Sequence, residues 1–406
     1  MLEVWNRGDR YGKAFSFPKC DFHINEETFT DPGQREIFDY ACEVASNNGS
    51  TYFFFDRDSA QLSQCCRLRT NITDMAMIKY PEKLRFCGFQ NVSINLPQAA
   101  FRAGKGNLER MIKDIEESME IAAKAHIQKK EYVKELMRPG GPLWQIGKPA
   151  HDGEPYVDLE KATYIIGLVG LNEAIQYITG KELHEGLHNE DDDERPFVKG
   201  LEVAARMNAK AKELSDRYNL KFTLEESPAE STTRRFVKTD LNKYKDAARS
   251  VVKGDIEKDE MYYTNSIHFR PDAKNDDGTP LSLTDRIQYQ SMFHNLIESG
   301  AIIHAFVGEH RPSAKSIASI VEKTYKNTQC AQLVISPEFT YCNTCHKNYA
   351  GLKDSCPECG SSDLEQMTRI VGYYSVVKGW NKSKKGELKD RQAGVKGYIP
   401  AQEEGK

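Results

Sequence analysis

Four of the ten cysteines stand at ligand spacing: Cys342-Asn-Thr-Cys345 and Cys356-Pro-Glu-Cys359 are two C-x-x-C turns separated by ten residues. Two such turns bring four thiolates to a tetrahedron around one Zn2+, at roughly 2.3 Å per Zn–S bond and with no open position, which describes a structural zinc ribbon. The same sulfurs would also accept an iron–sulfur cluster. Cys342-Asn-Thr-Cys345-His346 matches c-type haem attachment in spacing, but the second pair of cysteines and the lack of an export signal speak against it. Between Cys342 and Gly360 the only Lys or Arg residues are Lys347 and Lys353. That positive face is too thin for a phosphate backbone, so direct nucleic-acid binding is not expected.

Three other segments carry suitable chemistry. Ser63-Gln64-Cys65-Cys66-Arg67-Leu68 sets two adjacent thiols beside a guanidinium; such cysteines are either small buried side chains or reactive sulfur. Arg369-Ile370-Val371-Gly372-Tyr373-Tyr374 places a glycine among apolar residues, locally a turn or a point of close packing. Leu224-Glu225-Glu226-Ser227-Pro228-Ala229-Glu230-Ser231-Thr232-Thr233-Arg234-Arg235 follows a strand and opens a helix. Its free N–H groups, the Ser231 and Thr232 hydroxyls and the positive helix end suit a phosphate, while a capping box with Glu would use the same segment to close the helix start.

The elements that must position these residues read as α/β. Apolar residues recur at helical spacing over Leu108 to about Met137, where Pro139-Gly140-Gly141-Pro142 ends the helix, and over Pro196 to Tyr218. Tyr156–Thr179 is strand then helix, Leu220–Leu224 a strand, Leu283–Ser299 a helix before the strand 301–307, and Ser316–Tyr325 a helix before the strand 333–335. The acidic run Asn189–Glu194 is a solvated connection. Met1 to Phe101 reads as short strands joined by long turn-rich loops, and the last 40 residues as a Gly- and Lys-rich stretch without periodicity. Strands alternating with helices imply parallel pairing. With 56 Lys+Arg against 60 Asp+Glu over 406 residues, the charge balance excludes a polyelectrolyte, and the length allows two or three domains. Neither a membrane-length apolar run nor a signal peptide is found, and the scattered cysteines fit a reducing cytosol better than a secreted disulfide scaffold.

Taken in chain order, these motifs resemble the anaerobic (class III) ribonucleotide reductases, where a zinc ribbon precedes Arg-x-x-Gly-Tyr and a Trp-Asn segment. Here the match continues in Gly379-Trp380-Asn381-Lys382 and in Lys385 to Arg391, and Asn91-Val92-Ser93-Ile94-Asn95-Leu96-Pro97 is similar to the family's Thr/Ser-x-Asn-Leu-Pro strand. The resemblance implies a glycyl radical stored on Gly372 and installed by a radical S-adenosylmethionine activase. Glycine suits that role because an α-carbon radical must become planar to delocalise, which a Cβ crowds. It implies a thiyl radical on Cys66, which precedes Arg67, with Cys65 as the fallback. Pro228, Ala229, Glu230, Ser231 and Thr232 are the implied substrate-phosphate loop. The implied reaction is reduction of ribonucleoside triphosphates to deoxyribonucleoside triphosphates. Cys87 belongs either to this machinery or to the core; formate-using members carry Asn near Cys87 or Gly88, and its absence favours a redoxin over formate as reductant.

The fold implied is the C-terminal part of a ten-stranded α/β barrel, with a partial barrel over 1–335, a zinc ribbon over 336–365 and a glycyl-radical loop with its tail over 366–406. Because family members are longer and this sequence begins where the second half of their barrel begins, a separate chain carrying the first half is an expected partner, as is a second copy in a homodimer. Two rival readings are a non-catalytic remnant acting as a binding or regulatory subunit and a glycyl-radical lyase with another substrate.

Overall fold

The structure, a computed structural model, describes residues 1–57, 61–64, 67–72, 79–189 and 191–398. Its strands are β1 (Cys20–Ile24), β2 (Thr51–Phe55), β3 (Gln61–Ser63), β4 (Arg69–Asn71), β5 (Gly88–Asn95), β6 (Thr163–Val169), β7 (Lys221–Glu226), β8 (Ile303–Gly308), β9 (Gln332–Pro337), β10 (Phe339–Cys342), β11 (Asn348–Ala350), β12 (Leu364–Arg369) and β13 (Tyr374–Val376). Two layers of strands carry helices on their outer faces. The first, β5-β6-β7, is wholly parallel. Residues Tyr164, Ile166 and Leu168 of β6 pack outward with helices Leu96–Ala103, Leu108–Leu136, Leu171–Thr179 and Pro196–Tyr218. The second runs β1-β2-β9-β8, with β1 parallel to β2, β8 parallel to β9, and β2 antiparallel to β9.

In β2 the side-chain period of two divides the aromatic run. Phe53 and Phe55 join the core beneath helices Pro32–Asn48 and Ala314–Asn327, whereas Tyr52 and Phe54 face inward with Ile302 and Val334. The layers meet through backbone bonds from Ser299 N–H to the Leu224 carbonyl, from Glu226 N–H to the Gly300 carbonyl and from Arg69 N–H to the Ser299 carbonyl, at 2.8–3.0 Å. Among the described residues β1, β5 and β8 pair along one edge only, so the ten-stranded barrel expected from the resemblance is not closed. No described helix is long and apolar enough to cross a membrane.

The third layer is an antiparallel sheet, β11-β10-β12-β13, containing both the four-cysteine segment and the Gly372 turn. The expected helices at 108–137 and 196–218 appear as Leu108–Leu136 and Pro196–Tyr218. Three expectations are corrected. Helix Pro32–Asn48 lies where only strands and loops were expected; Asp31 accepts from Gln34 N–H at 2.8 Å, Pro32 begins the first turn and left-handed Gly49 ends it. The helix expected to Ser299 gives way at Ser291 to a 3-10 turn ending at Leu296, freeing 299–300 to pair with β7. The tail read as a Gly- and Lys-rich stretch without periodicity holds helix Lys382–Tyr398. Its inner face mixes the charged Lys384, Glu387 and Arg391 and glycines with only Leu388 and Val395, so hydrophobic periodicity misses it.

That helix packs unusually close to backbone. A Cβ at Gly386 would overlap the Glu260 carbonyl, and one at Gly394 the Pro271 carbonyl. Gly386→Ala is therefore expected to push the helix outward and lower the unfolding free energy by about 1–3 kcal/mol, read from denaturant titration.

Candidate active site and metal centre

The four cysteines converge as their spacing requires. Their sulfurs all lie within 4.8 Å of one another, with Cys342 Sγ 3.7 Å from Cys359 Sγ and Cys345 Sγ 3.6 Å from Cys356 Sγ. A tetrahedron with ~2.3 Å bonds has edges of about 3.8 Å, so the set fits a structural Zn2+. The Tyr349 hydroxyl lies 3.4 Å from Cys356 Sγ and 3.8 Å from Cys345 Sγ, a second layer of polar support for thiolates. Cys342 closes β10, whose ladder places Cys342 opposite Leu364 at the start of β12. The metal site thus grips one end of a strand pair.

At the other end of β12, residues 370–373 turn into β13, closed by Ile370 N–H on the Tyr373 carbonyl at 3.0 Å. Gly372 is buried in this turn. Ile370, Val371, Val377, Trp380 and Leu388 form a local apolar cluster around it. Three buried cationic side chains brace it. Arg391 donates to the Arg369 carbonyl at 2.6 Å and to the Ile370 carbonyl at 3.0 Å. Glu387 accepts from Arg391 and, at 2.7 Å, from buried Lys384. Burial alone would raise the Glu387 carboxyl; Arg391 and Lys384 overcome this and hold it down at about 2. Arg369 reaches the carbonyls of Gly49 and Gly372 and the hydroxyl of Tyr52.

The cysteine pair sits in the chain between β3 and β4, which pair antiparallel with Ser63 opposite Arg69. Cys65 and Cys66 themselves lie outside the described residues. Their neighbour Arg67 is fully buried, and its Nη1 stands 3.4 Å from Glu226 Oε2. A Cβ at Gly300, whose φ is +149°, would collide with the Arg67 carbonyl, so only glycine lets β7's neighbour lie flat against this backbone.

Glu226 also accepts from Ile302 N–H at 3.2 Å and lies 3.3 Å from His268 Nε2. His294 Nδ1 accepts from Ala331 N–H at 2.8 Å, so its neutral ring carries the proton on Nε2, 3.8 Å from Glu226 Oε1. Burial would raise Glu226, but His268, His294 and Arg67 hold it below its ordinary range. Its neighbour Glu225 goes the other way: burial lifts it to about 7 against the hydrogen bond from Asn91 at 2.7 Å. On the inward side of β5, Asn91, Ser93 and Asn95 alternate with apolar neighbours, and Ser93 Oγ lies 2.6 Å from Ser227 Oγ.

The 227–232 segment leads from β7 into helix Thr232–Lys243. Ser231 is the N-cap residue but makes no capping bond, so the capping-box alternative is not realised. Thr233 in the first turn is fully buried with an unpartnered hydroxyl. Pro228 is half-buried, Ala229 is buried with φ +48°, and Glu230 contributes its carbonyl to Asn381 Nδ2 at 2.8 Å, tying this loop to the segment after Gly372. Cys87 directly precedes β5, half-buried against the main core, with burial raising its thiol.

Residues 1–393 match the family model described as anaerobic ribonucleoside-triphosphate reductase. The chain belongs to that family. It is 24% identical over 324 residues to the anaerobic ribonucleoside-triphosphate reductase of Salmonella typhimurium, covering 74% of this chain and 41% of that one. Against the enzyme of Enterobacteria phage T4 it is 22% identical over 319 residues, covering 74% and 47%. The crystal structure of the Thermotoga maritima anaerobic ribonucleotide reductase in complex with dATP and CTP is similar in fold, with a TM-score of 0.70 at 19% identity, covering 95% of this chain and 58% of that one. The chain therefore spans about half the length of the anaerobic ribonucleoside-triphosphate reductases it matches.

Seen as a member of that family, the chain gathers the four cysteines, the Gly372 turn and the flank of the cysteine pair on a shared framework. Side chains join the last two: Glu226 meets both Arg67 and His268, the His268 and His304 ring centroids lie 6.3 Å apart, His304 stacks on Phe306, and Arg391, which bonds the Arg369 and Ile370 carbonyls, lies over Phe306. Beside the Gly372 turn a cavity is lined by Thr264, Asn265, His268, His304, Val371 and Arg391, among others. Sequence reasoning assigns no role to Tyr52, Glu226 or His304, and finds the segment 263–268 similar to one in the family without giving His268 a role. The adjacent acids Glu225-Glu226 inside an otherwise apolar strand were the available signal for one of them.

Replacing Cys356 with Ser should release about one zinc per chain by elemental analysis and speed proteolysis in 342–376. Since Glu387 sits well below its ordinary 4.5, its contribution is complete above that pH and is lost as the pH falls toward about 2. The unfolding free energy of Glu387→Gln should be lower than that of the parent near neutrality, and the two should converge on acidification.

Proposed function

We propose that the chain is the catalytic C-terminal portion of an anaerobic ribonucleoside-triphosphate reductase that makes deoxyribonucleoside triphosphates by glycyl and thiyl radical chemistry. The observation that supports the reading is that Arg67, beside the cysteine pair, and the Gly372 turn are tied to one buried cluster: Glu226 holds Arg67 and His268, and His268 and His304 line a cavity that Val371 and Arg391 flank on the glycine side. Gly372 stores the radical. A hydrogen atom passes from Cys66 to the Gly372 α-carbon as the S–H bond breaks and the C–H bond forms, with Cys65 as the alternative donor. The resulting thiyl takes the 3′-hydrogen of the ribose, the 2′-hydroxyl departs as water, and a reductant outside the chain supplies two electrons with the balancing protons. Each transfer requires near contact, which is what a rigid framework contributes.

A redoxin dithiol is the favoured reductant over formate, with Cys87 as the thiol that would exchange with it. Pro228, Ala229, Glu230, Ser231 and Thr232 hold the substrate phosphates. The uncapped Ser231 hydroxyl, the unpartnered Thr233 hydroxyl and the positive end of helix Thr232–Lys243 support that assignment. Zn2+ at the four cysteines is structural. The activating partner is a radical S-adenosylmethionine enzyme, and a second copy of this chain completes the assembly.

After anaerobic activation, Gly372→Ala should abolish an electron paramagnetic resonance doublet, and a persisting doublet would remove Gly372 from the scheme. Cys66→Ser should keep the doublet while nucleotide reduction falls to background; continued turnover would transfer the role to Cys65 or Cys87.

A further inference from the structure

The Gly372 carbonyl oxygen accepts from two buried side chains, the Tyr52 hydroxyl and Arg369 Nη1, the latter at 3.2 Å. Arg369 Nη1 also donates to the Tyr52 oxygen, so a cation polarises the phenol that donates onward, and hydrogen bonds in such a chain strengthen one another. The guanidinium is clasped between two rings, its Cζ 4.2 Å from the centroid of Tyr52 and 4.4 Å from that of Tyr374. Arg369 and Tyr52 are almost fully buried. Turn formation asks for none of this, because Ile370 and Tyr373 already close the hairpin. Burying a guanidinium is costly unless its site repays it.

We propose that Tyr52 and Arg369 stabilise the Gly372 radical by loading its carbonyl oxygen with hydrogen-bond donors. This rests on reading Gly372 as the radical carbon. In the closed-shell glycine the tetrahedral α-carbon insulates the carbonyl from the preceding nitrogen. Once the α-carbon becomes planar, the nitrogen lone pair, the unpaired electron and the carbonyl form one π system, and negative charge builds on the oxygen. Donors already aimed at that oxygen bind the radical state more strongly than the parent, the condition for selective stabilisation. Tyr52 and Arg369 are positioning residues in this scheme, since neither meets the substrate.

The test uses the full 406-residue chain activated anaerobically by a radical S-adenosylmethionine activase. Tyr52→Phe is expected to retain zinc and to give a doublet whose g-anisotropy changes at high field and which decays about five- to tenfold faster, the effect of losing one buried hydrogen bond. Replacing Tyr52 by 3-fluorotyrosine, a stronger donor of nearly the same shape, should slow the decay, and this arm decides the matter should the Phe variant fail to fold. Unchanged g-values and decay in a zinc-loaded Tyr52→Phe protein, or no slowing with 3-fluorotyrosine, overturn the inference while leaving Gly372 as the radical site. An unsubstituted chain that yields no doublet overturns the radical reading, and this inference with it.

Discussion

One strand joins the four-cysteine cluster to the Gly372 turn near the chain's end. β12 starts beside the four thiolates, pairs with β10 on one side and β13 on the other, and finishes at Arg369, three residues from Gly372. β10 pairs with Leu364–Met367 and β13 with Met367–Arg369, so two antiparallel ladders overlap at Met367 and together run from the cysteine end to the glycine end. Closing the tetrahedron therefore restrains more than the knuckles: it anchors the near end of a strand whose far end aims the glycine turn. A metal with no open position suits that role.

The far end is held by charge rather than by apolar packing alone. Arg369, Lys384, Glu387 and Arg391 are nearly inaccessible, and their pairing supplies direction that a hydrophobic contact does not. Arg391 fixes two successive carbonyls of the turn, and Arg369 fixes the carbonyls of Gly49 and Gly372. Such networks are expensive and gain little net stability over apolar packing, so their yield is a defined geometry. Helix Lys382–Tyr398 can deliver its charges because Gly386 and Gly394 let it rest on the 260–272 backbone.

How much of this could be read beforehand follows from the nature of each signal. The cysteine spacing, the long amphipathic helices and the buried strands are local patterns, and they appear close to where the sequence places them. Helix Pro32–Asn48 had a readable start in Asp31-Pro32 and a readable stop in Gly49, but its modest apolar pattern lay among turn residues. Helix Lys382–Tyr398 was not legible, since its buried face is largely ionic and the 260–272 backbone it rests on lies over a hundred residues away. Tyr52 was hidden for a related reason: an aromatic run announces a buried strand, while which ring meets Gly372 depends on register between β2 and a sheet more than 300 residues later.

Glu225 and Glu226 show why the interior must be argued from surroundings rather than composition. They are consecutive in one strand and equally removed from water, yet burial lifts one to about 7 and three cationic or donor groups keep the other below its ordinary range. Two adjacent carboxylates could not both stay ionised there without such partners. The anionic Glu226 consequently has a structural task, holding Arg67 and with it the backbone beside the cysteine pair, while Gly300 keeps the opposite strand close enough for that grip. Arg67, next to the cysteine pair in the chain, and the glycine turn are thus each held on a neighbouring element, Arg67 by Glu226 and the turn through Arg369 by Tyr52 and Gly49. Burial, with the surrounding cations adding to it, keeps the His304 ring neutral, so the positive charge lining the cavity it faces comes from Arg286 and Arg391.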